Sequence, residues 1–332
     1  MTHEEGIMKE SNTADVLGSN VCVLCGGWSD EREVSLLSGR EVASALEEAG
    51  FANVDLLDVA SDDFLRSVAT GDYDVAFVAM HGKYGEDGCV QGLLEILHIP
   101  YTFSGVRASS MALAKDVAKN VYRRYGIPVA DDVYIYPGDD LDDDALDEIV
   151  ERLGLPLFVK PAGNGSSFGV THVMSRDELP AAIERASEGG ECVIIEEAIE
   201  GTEITVPVLG NADARALPII EVATGADFYD EKVKYEPSEL HHVIPANLPD
   251  EVIRRASNLA VAAHVALGCK GCSRSDFIVK DNGEPIILET NTIPGMTSAS
   301  LFPDSAREAG IAFPELCRTF VELALDDSPA RA

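Results

Sequence analysis

The chain has 332 residues, 46% of them hydrophobic, and carries 58 acidic against 25 basic side chains for a formal charge of -33. That length and apolar content allow two or three domains with ample cores and exclude a chain disordered over most of its length. So negative a field repels nucleic acid and anionic membranes, and neither is an expected partner.

Residues 1–18 read as a loose disordered tail, and 327–332 as a second one. The N-terminus lacks the basic and apolar regions of a signal peptide, and no apolar stretch approaches the ~20 residues of a membrane span. A cytoplasmic protein is expected. A strand over 21–25, a helix over 34–49 closed by Gly50 and a strand over 75–80 then give a parallel α/β layout. Ligands of such sheets sit at the carboxyl ends of the strands. There the sequence places Gly26, Gly27, Trp28, Glu31 and Arg32 after one strand, and His81, Gly82, Gly85, Glu86, Asp87 and Gly88 after another. Glu31 at a helix start could simply complement the helix dipole, and His81 could be a hydrogen-bonded strand-end histidine. Their shared sheet edge favours a substrate pocket. Cys22 and Cys25 have C-x₂-C spacing, as do Cys269 and Cys272, yet an odd separation on a strand points the first pair to opposite faces. They read as buried reduced thiols rather than metal ligands.

A helix over 109–125 carries Lys115 and Lys119 and ends at Gly126-Ile127-Pro128. The acidic run 139–148 reads as a solvated connection and helix start. Next, an apolar strand, Leu157 to Val159, ends in Lys160 and Pro161 and opens into Gly163, Asn164, Gly165, Ser166, Ser167 and Gly169. Glycines let backbone N–H groups approach an anion closely. The lysine precedes the glycines, so this is not the phosphate loop that leads into a helix. It reads as a flap carrying hydroxyls over a triphosphate, with a glycine-rich surface turn as the alternative. A further strand ends in Glu196 and Glu197, with Glu203 following Gly201. Such acids can accept ribose hydroxyls or can merely be solvated. The long polar stretch 225–247, with Lys232, Lys234 and Tyr235, has the length of a lid.

Asn282-Gly283 is a strong hairpin signal between strands over 273–280 and 285–291. A two-residue turn there makes paired positions sum to 565, so Asp276 faces Glu289 and Arg274 faces Asn291. Carboxylates so placed repel unless a cation lies between them or water screens them. Two carboxylates and an amide form an all-oxygen set suited to Mg²⁺ or Mn²⁺. Metal beside arginine points to phosphate chemistry.

Five segments, in order, resemble the D-alanine:D-alanine ligases of the ATP-grasp superfamily. They are Gly26-Gly27 with Glu31-Arg32-Glu33-Val34-Ser35; His81-Gly82 with Gly85-Glu86-Asp87-Gly88; Lys160-Pro161 through Ser166-Ser167-Phe168-Gly169; Arg274-Ser275-Asp276; and Glu289 through Thr297. The resemblance implies an α/β, three-domain ATP-grasp architecture: an N-terminal parallel α/β domain over 19–114, then two α+β domains, 115–201 and 202–326, sandwiching ATP. It implies ATP-dependent joining of two D-alanines through a D-alanyl phosphate, with ADP and phosphate released, for peptidoglycan precursors. Glu31 would hold the first ammonium, linked to Ser166 and Tyr235, with His81 beside it in a role left open. Lys115, Lys160, Ser167 and Lys234 would meet phosphates, and Glu196, Glu197 and Glu203 the adenine and ribose. Asp276, Glu289 and Asn291 would hold two Mg²⁺ or Mn²⁺ ions, Arg274 and the Gly295 N–H would stabilise an oxyanion, and Ser300 with Leu301 would flank the second substrate. A homodimer is implied as well. The alternatives are a D-alanyl-D-lactate or D-alanyl-D-serine ligase, or a catalytically silent nucleotide-binding regulator.

Overall fold

The structure of the protein, a computed structural model, describes residues 16–163, 169–224 and 240–326. Three sheets are formed by the described strands. The first has the order β2-β1-β3, all parallel: β1 (Asn20–Cys25), β2 (Asn53–Asp58) and β3 (Val75–Val78). Helices α1 (Arg32–Glu48), α2 (Phe64–Thr70) and α3 (Cys89–Ile96) connect and cover them. The parallel layout expected from the sequence holds, although β2 carried too few buried positions to show as a strand. Cys22 and Cys25 do point apart, the first thiol toward the Val75 carbonyl on β3 and the second toward Leu57 on β2. Burial pushes the two thiols up to about 12 and about 11.

Two helices, α4 (Val106–Leu113) and α5 (Lys115–Arg124), replace the single helix expected over 109–125. Ala114 breaks it with an extended backbone, φ -79° and ψ 91°. The next sheet, β4-β7-β5-β6, is antiparallel and joins β4 (Asp132–Ile135), β5 (Leu157–Pro161), β6 (Thr171–Val173) and β7 (Val193–Glu197). Helices α6 (Asp143–Leu153) and α7 (Leu179–Ala186) pack on it. Asp142 caps α6 by accepting from the Ala145 N–H at 2.9 Å, so part of the acidic run is a helix start, as its composition implies. The last sheet runs β11-β10-β8-β12-β13 with β9 on β8. It is built from β8 (Thr202–Leu209), β9 (Arg215–Ala216), β10 (Ile220–Thr224), β11 (Leu240–Val243), β12 (Cys272–Val279) and β13 (Pro285–Asn291). Helices α8 (Asp250–Leu267), α9 (Leu301–Glu308) and α10 (Phe313–Asp326) complete the chain. Within the stretch 225–247 read as a lid, residues 240–243 form β11, paired with β10. That part is sheet, held by a ladder that polar composition concealed. Residues 225–239 lie outside the described residues.

Packing runs across the expected domain limits. Phe320 of α10 sits among Phe77, Phe103 and Phe302, with ring centroids 4.9 to 6.2 Å away, so the C-terminal helix closes the core of the first sheet. Val16 and Leu17, inside the segment read as tail, pack against the same core. Helices α4 and α5 share their core with α8, β8 and β12.

His264 of α8 is buried, and its Nδ1 pairs with the Ser273 hydroxyl at 2.8 Å. Burial pushes its pKa down to about 4, against a smaller opposing pull from the Gly210 carbonyl. The fold therefore favours the neutral ring. That contribution is complete above the usual histidine value of about 6.5 and is lost as pH falls toward the folded value, at up to ~1.4 kcal/mol per unit. His264→Gln should show a stability deficit at pH 7 that narrows between pH 6.5 and 4, measured by thermal unfolding across that range. A deficit constant with pH would show that the ring only fills space.

Candidate active site

In the hairpin of β12 and β13, Asp276 stands opposite Glu289, and Arg274 opposite Asn291, as the sequence implies. The route to that register differs. Lys280 N–H donates to the Glu284 carbonyl and Gly283 N–H to that of Lys280, which makes a three-residue loop with Gly283 at φ +79°. The extra loop residue shifts the pairs nearest the turn, Phe277 with Ile287 and Val279 with Pro285, by one. A bulge after Asp276, with Leu288 as the additional residue, restores the register at the carboxylates. It also keeps Phe277 and Ile287 in the core while Asp276 and Glu289 remain accessible.

The two carboxylates are not left to repel. Arg274 donates to both oxygens of Asp276, from Nε at 3.1 Å and Nη2 at 3.0 Å, and the Thr205 hydroxyl of β8 donates to Oδ1. Lys115 Nζ lies 3.0 Å from Glu289 Oε2. Each acid thus has its own cation: Arg274, expected beside the pair, and Lys115, whose approach to Glu289 the sequence did not indicate. Asn291 Oδ1 accepts from the Ile293 N–H at 2.8 Å, which fixes the amide beside them.

Lys115, Lys119 and Arg123 recur at four-residue spacing and form one cationic stripe along α5. The adjoining face of the helix places Ala118 and Tyr122 in the core shared with α8. Lys119, 1% exposed, lies 2.7 Å from both Glu196 Oε2 and Asp132 Oδ2. Arg123 meets Asp132 Oδ1 at 2.7 Å and the Tyr134 hydroxyl at 2.9 Å. Lys160, at the end of β5, pairs with Glu196 Oε1. Burial alone would raise the Glu196 carboxyl, but the Lys160 and Lys119 ammonium groups override it and bring it down to about 2. The Lys115 N–H also donates to the Ala162 carbonyl at 2.9 Å, tying α5 to the end of β5. One helix therefore links the hairpin carboxylates to the central sheet. Reading the sequence singled out the two lysines but missed Arg123, Asp132 and Tyr134; the spacing of three cations was the available signal.

Glu197 Oε1 accepts from the Asp131 N–H at 3.0 Å, and Glu203 lies on β8 opposite Ile278. Ser166, Ser167, Lys234 and Tyr235 lie outside the described residues. At the edge of the first sheet, a Cβ built on Gly82 would stand 2.9 Å from Glu31 Oε2, so the segments after β1 and β3 meet there. His81 is buried, with Nε2 3.1 Å from the Ser38 hydroxyl and Nδ1 3.7 Å from Glu86 Oε1. Its carbonyl accepts from Ser29 Oγ at 2.8 Å. Gly295 and Ser300 adjoin one another, and Ser300 Oγ also accepts from the Thr297 N–H at 3.1 Å just before Leu301 opens α9. That turn reaches the first sheet: the Ser298 N–H donates to Glu41 Oε2 of α1 at 2.7 Å. Among the described candidates, then, Glu31 and His81 share one edge, Lys115 joins the metal-type hairpin, and Lys160 joins Glu196.

The family pattern described as D-ala D-ala ligase N-terminus matches residues 59–104, and that described as D-ala D-ala ligase C-terminus matches residues 121–322. The D-alanine--D-alanine ligase of Desulforudis audaxviator is 48% identical over 303 residues, which cover 91% of this chain and 97% of that protein. That of Desulforamulus reducens is 44% identical over 308 residues, covering 92% and 98%. Among solved structures, the Bacillus anthracis D-alanine--D-alanine ligase complexed with ATP superposes with a TM-score of 0.81 at 35% identity, covering 93% of this chain and 98% of that one. The Coxiella burnetii ligase superposes with a TM-score of 0.80 at 28% identity, covering 93% and 94%. The ATP-grasp architecture expected from the motifs is thus present along almost the whole chain, which belongs to the D-alanine--D-alanine ligase family.

Proposed function

We propose that this protein joins two D-alanine molecules at the expense of ATP. The observation that carries the reading is the hairpin, where Asp276 and Glu289 face each other with Arg274 and Lys115 already against them. ATP would pass its γ-phosphoryl group to the carboxylate of the first D-alanine, giving D-alanyl phosphate and ADP. The amine of the second would attack that carbonyl, lose a proton, and expel phosphate from a tetrahedral intermediate.

Each step asks for charge where this chain has it. Glu31 receives the first ammonium at the sheet edge, with Ser166 and Tyr235 assigned beside it by resemblance. Arg274 and the Gly295 N–H face the oxyanion, where fixed donors lower a barrier most. Lys115 and Lys160, with Ser167 and Lys234, meet phosphate, and Glu196, Glu197 and Glu203 lie toward the nucleoside. Ser300 and Leu301 border the second D-alanine. Asp276, Glu289 and Asn291 form an all-oxygen set that fits Mg²⁺ or Mn²⁺, two ions in this reading, and such ions would supply charge neutralisation for the transferred phosphoryl group. Because ATP is a cytoplasmic substrate the reading includes a cytoplasmic enzyme; a homodimer rests on resemblance alone.

Given ATP, Mg²⁺ and D-alanine, the purified protein should release one ADP and one phosphate per D,D-dipeptide, with L-alanine inert. Product mass and phosphate release across D-alanine, D-serine and D-lactate test this. AMP with pyrophosphate would overturn the acyl-phosphate route, and preferential use of D-lactate or D-serine as the second substrate would reassign the product.

Glu289→Gln should raise the Mg²⁺ concentration needed for half-maximal turnover by roughly tenfold, since it removes a charged ligand. Thermal stability without metal should not rise, because Lys115 already balances Glu289. A gain of several degrees would show that repulsion with Asp276 persists.

A further inference from the structure

Arg32 follows Glu31 directly at the start of α1, so a cation lies one residue along the chain from the carboxylate that the proposed function assigns to a substrate ammonium. Left to itself, that cation would pair with Glu31 or repel the incoming ammonium. The structure holds it elsewhere. Asp58, the last residue of β2, takes Arg32 in a two-pronged bond, Nη1 to Oδ1 at 3.0 Å and Nη2 to Oδ2 at 2.5 Å. Such paired geometry fixes the direction of the guanidinium as well as its charge.

The same pair grips the loop. Arg32 Nη1 donates to the Gly27 carbonyl at 2.8 Å, and the Gly27 N–H points at Asp58 Oδ1 at 3.4 Å. Asp58 Oδ1 also accepts from the Ala60 N–H at 2.9 Å. Gly26 and Gly27 have φ of +75° and +87°, and a Cβ on Gly26 would strike the Asp58 carboxylate and lie 2.8 Å from Arg32 Nη1. Only glycine lets the chain pass so close to the ion pair. A second tie runs through Ser35, which accepts from the Gly26 N–H at 2.8 Å and donates to the Ala79 carbonyl at 2.7 Å. The segment from Gly26 to Glu31 is thus anchored to β2, α1 and the residue after β3 together. Arg32 holds the Asp58 carboxyl down at about 2, so the clamp is charged at any working pH.

We propose that Asp58 is a positioning residue for the first-substrate site: by engaging Arg32 and Gly27 it turns the guanidinium away from Glu31 and fixes the loop that presents the Glu31 carboxylate to the substrate ammonium. The inference rests on Glu31 receiving that ammonium. It assigns to Asp58 a role exerted through Arg32, without contact with the substrate.

The test is steady-state kinetics of the full-length enzyme, resolving the first and second D-alanine sites. Asp58→Asn should raise the KM of the first site about tenfold or more, while the second-site KM and the KM for ATP stay within about twofold. Asp58→Ser carries the same expectation should the amide fail to fold. Adding Arg32→Gln to either variant removes the released guanidinium and should lower the first-site KM from the single variant's value. A purely structural clamp would make the double variant no better than the single, and that result overturns the proposal, as does an unchanged first-site KM in Asp58→Asn. Glu31→Gln is the control. If it leaves the first-site KM unchanged, the assignment of Glu31 fails; if it raises that KM while Asp58→Asn does not, only the inference about Asp58 fails.

Discussion

Arg274→Lys should lower kcat by ~10²-fold or more, comparable to removal of a donor from an oxyanion site. The charge is kept, so the loss measures geometry. Arg274 spends Nε and Nη2 on the two oxygens of Asp276, which itself also accepts from Thr205. A planar guanidinium can do this and still present a rigid edge to a developing oxyanion, whereas an ammonium on a flexible stem is a point charge that must choose. The check is kcat at saturating ATP, Mg²⁺ and D-alanine, together with the Mg²⁺ dependence. A near-normal kcat would remove Arg274 from the oxyanion role. A loss rescued by excess Mg²⁺ would place its effect on the metal ligands through Asp276.

The hairpin shows how much of such a site a sequence can reveal, and how. Period-two alternation and a turn dipeptide led to the observed pairing of Asp276 with Glu289 and Arg274 with Asn291, but through a two-residue turn that the chain does not make. The intermediate step was not legible: loop length and bulge compensate one another, and both depend on where Phe277 and Ile287 find space in the core. What the pattern could not supply was the third dimension. Lys115 on α5 answers Glu289 and Asp58 on β2 answers Arg32, and neither meeting follows from spacing along the chain. The strand β2 itself escaped notice because all six of its residues are at least partly exposed, leaving no buried apolar run to read. The break at Ala114 escaped for a different reason, since alanine favours helix and only tertiary packing turns the chain there.

Lys119→Met should be the most destabilising single change in the site, at roughly 3–5 kcal/mol, the range for removing one partner from a buried ion pair. Met approximates the volume of the stem, so little of the loss comes from packing. Lys119 is 1% exposed and lies between Glu196 and Asp132, themselves 5% and 6% exposed. Without it, Lys160 must balance Glu196 alone and Arg123 must balance Asp132 alone, each with less charge in surroundings where water cannot compensate. Against a typical total of about 5–15 kcal/mol, the loss would be visible as a lower thermal midpoint. The sign of its pH dependence is fixed by Glu196. Its folded value is depressed to about 2, so the stability it draws from its cations is present above the usual carboxylate range and is lost as pH falls toward that folded value. The deficit of Lys119→Met relative to the native chain should therefore be largest above pH 5 and shrink in acid. Combining it with Glu196→Gln should cost less than the sum of the two single changes, because the second removes the carboxylate that the first leaves short of charge. A deficit below ~1 kcal/mol, or strict additivity with Glu196→Gln, would show that Lys160 already satisfies Glu196 and that α5 is held to the central sheet by other contacts.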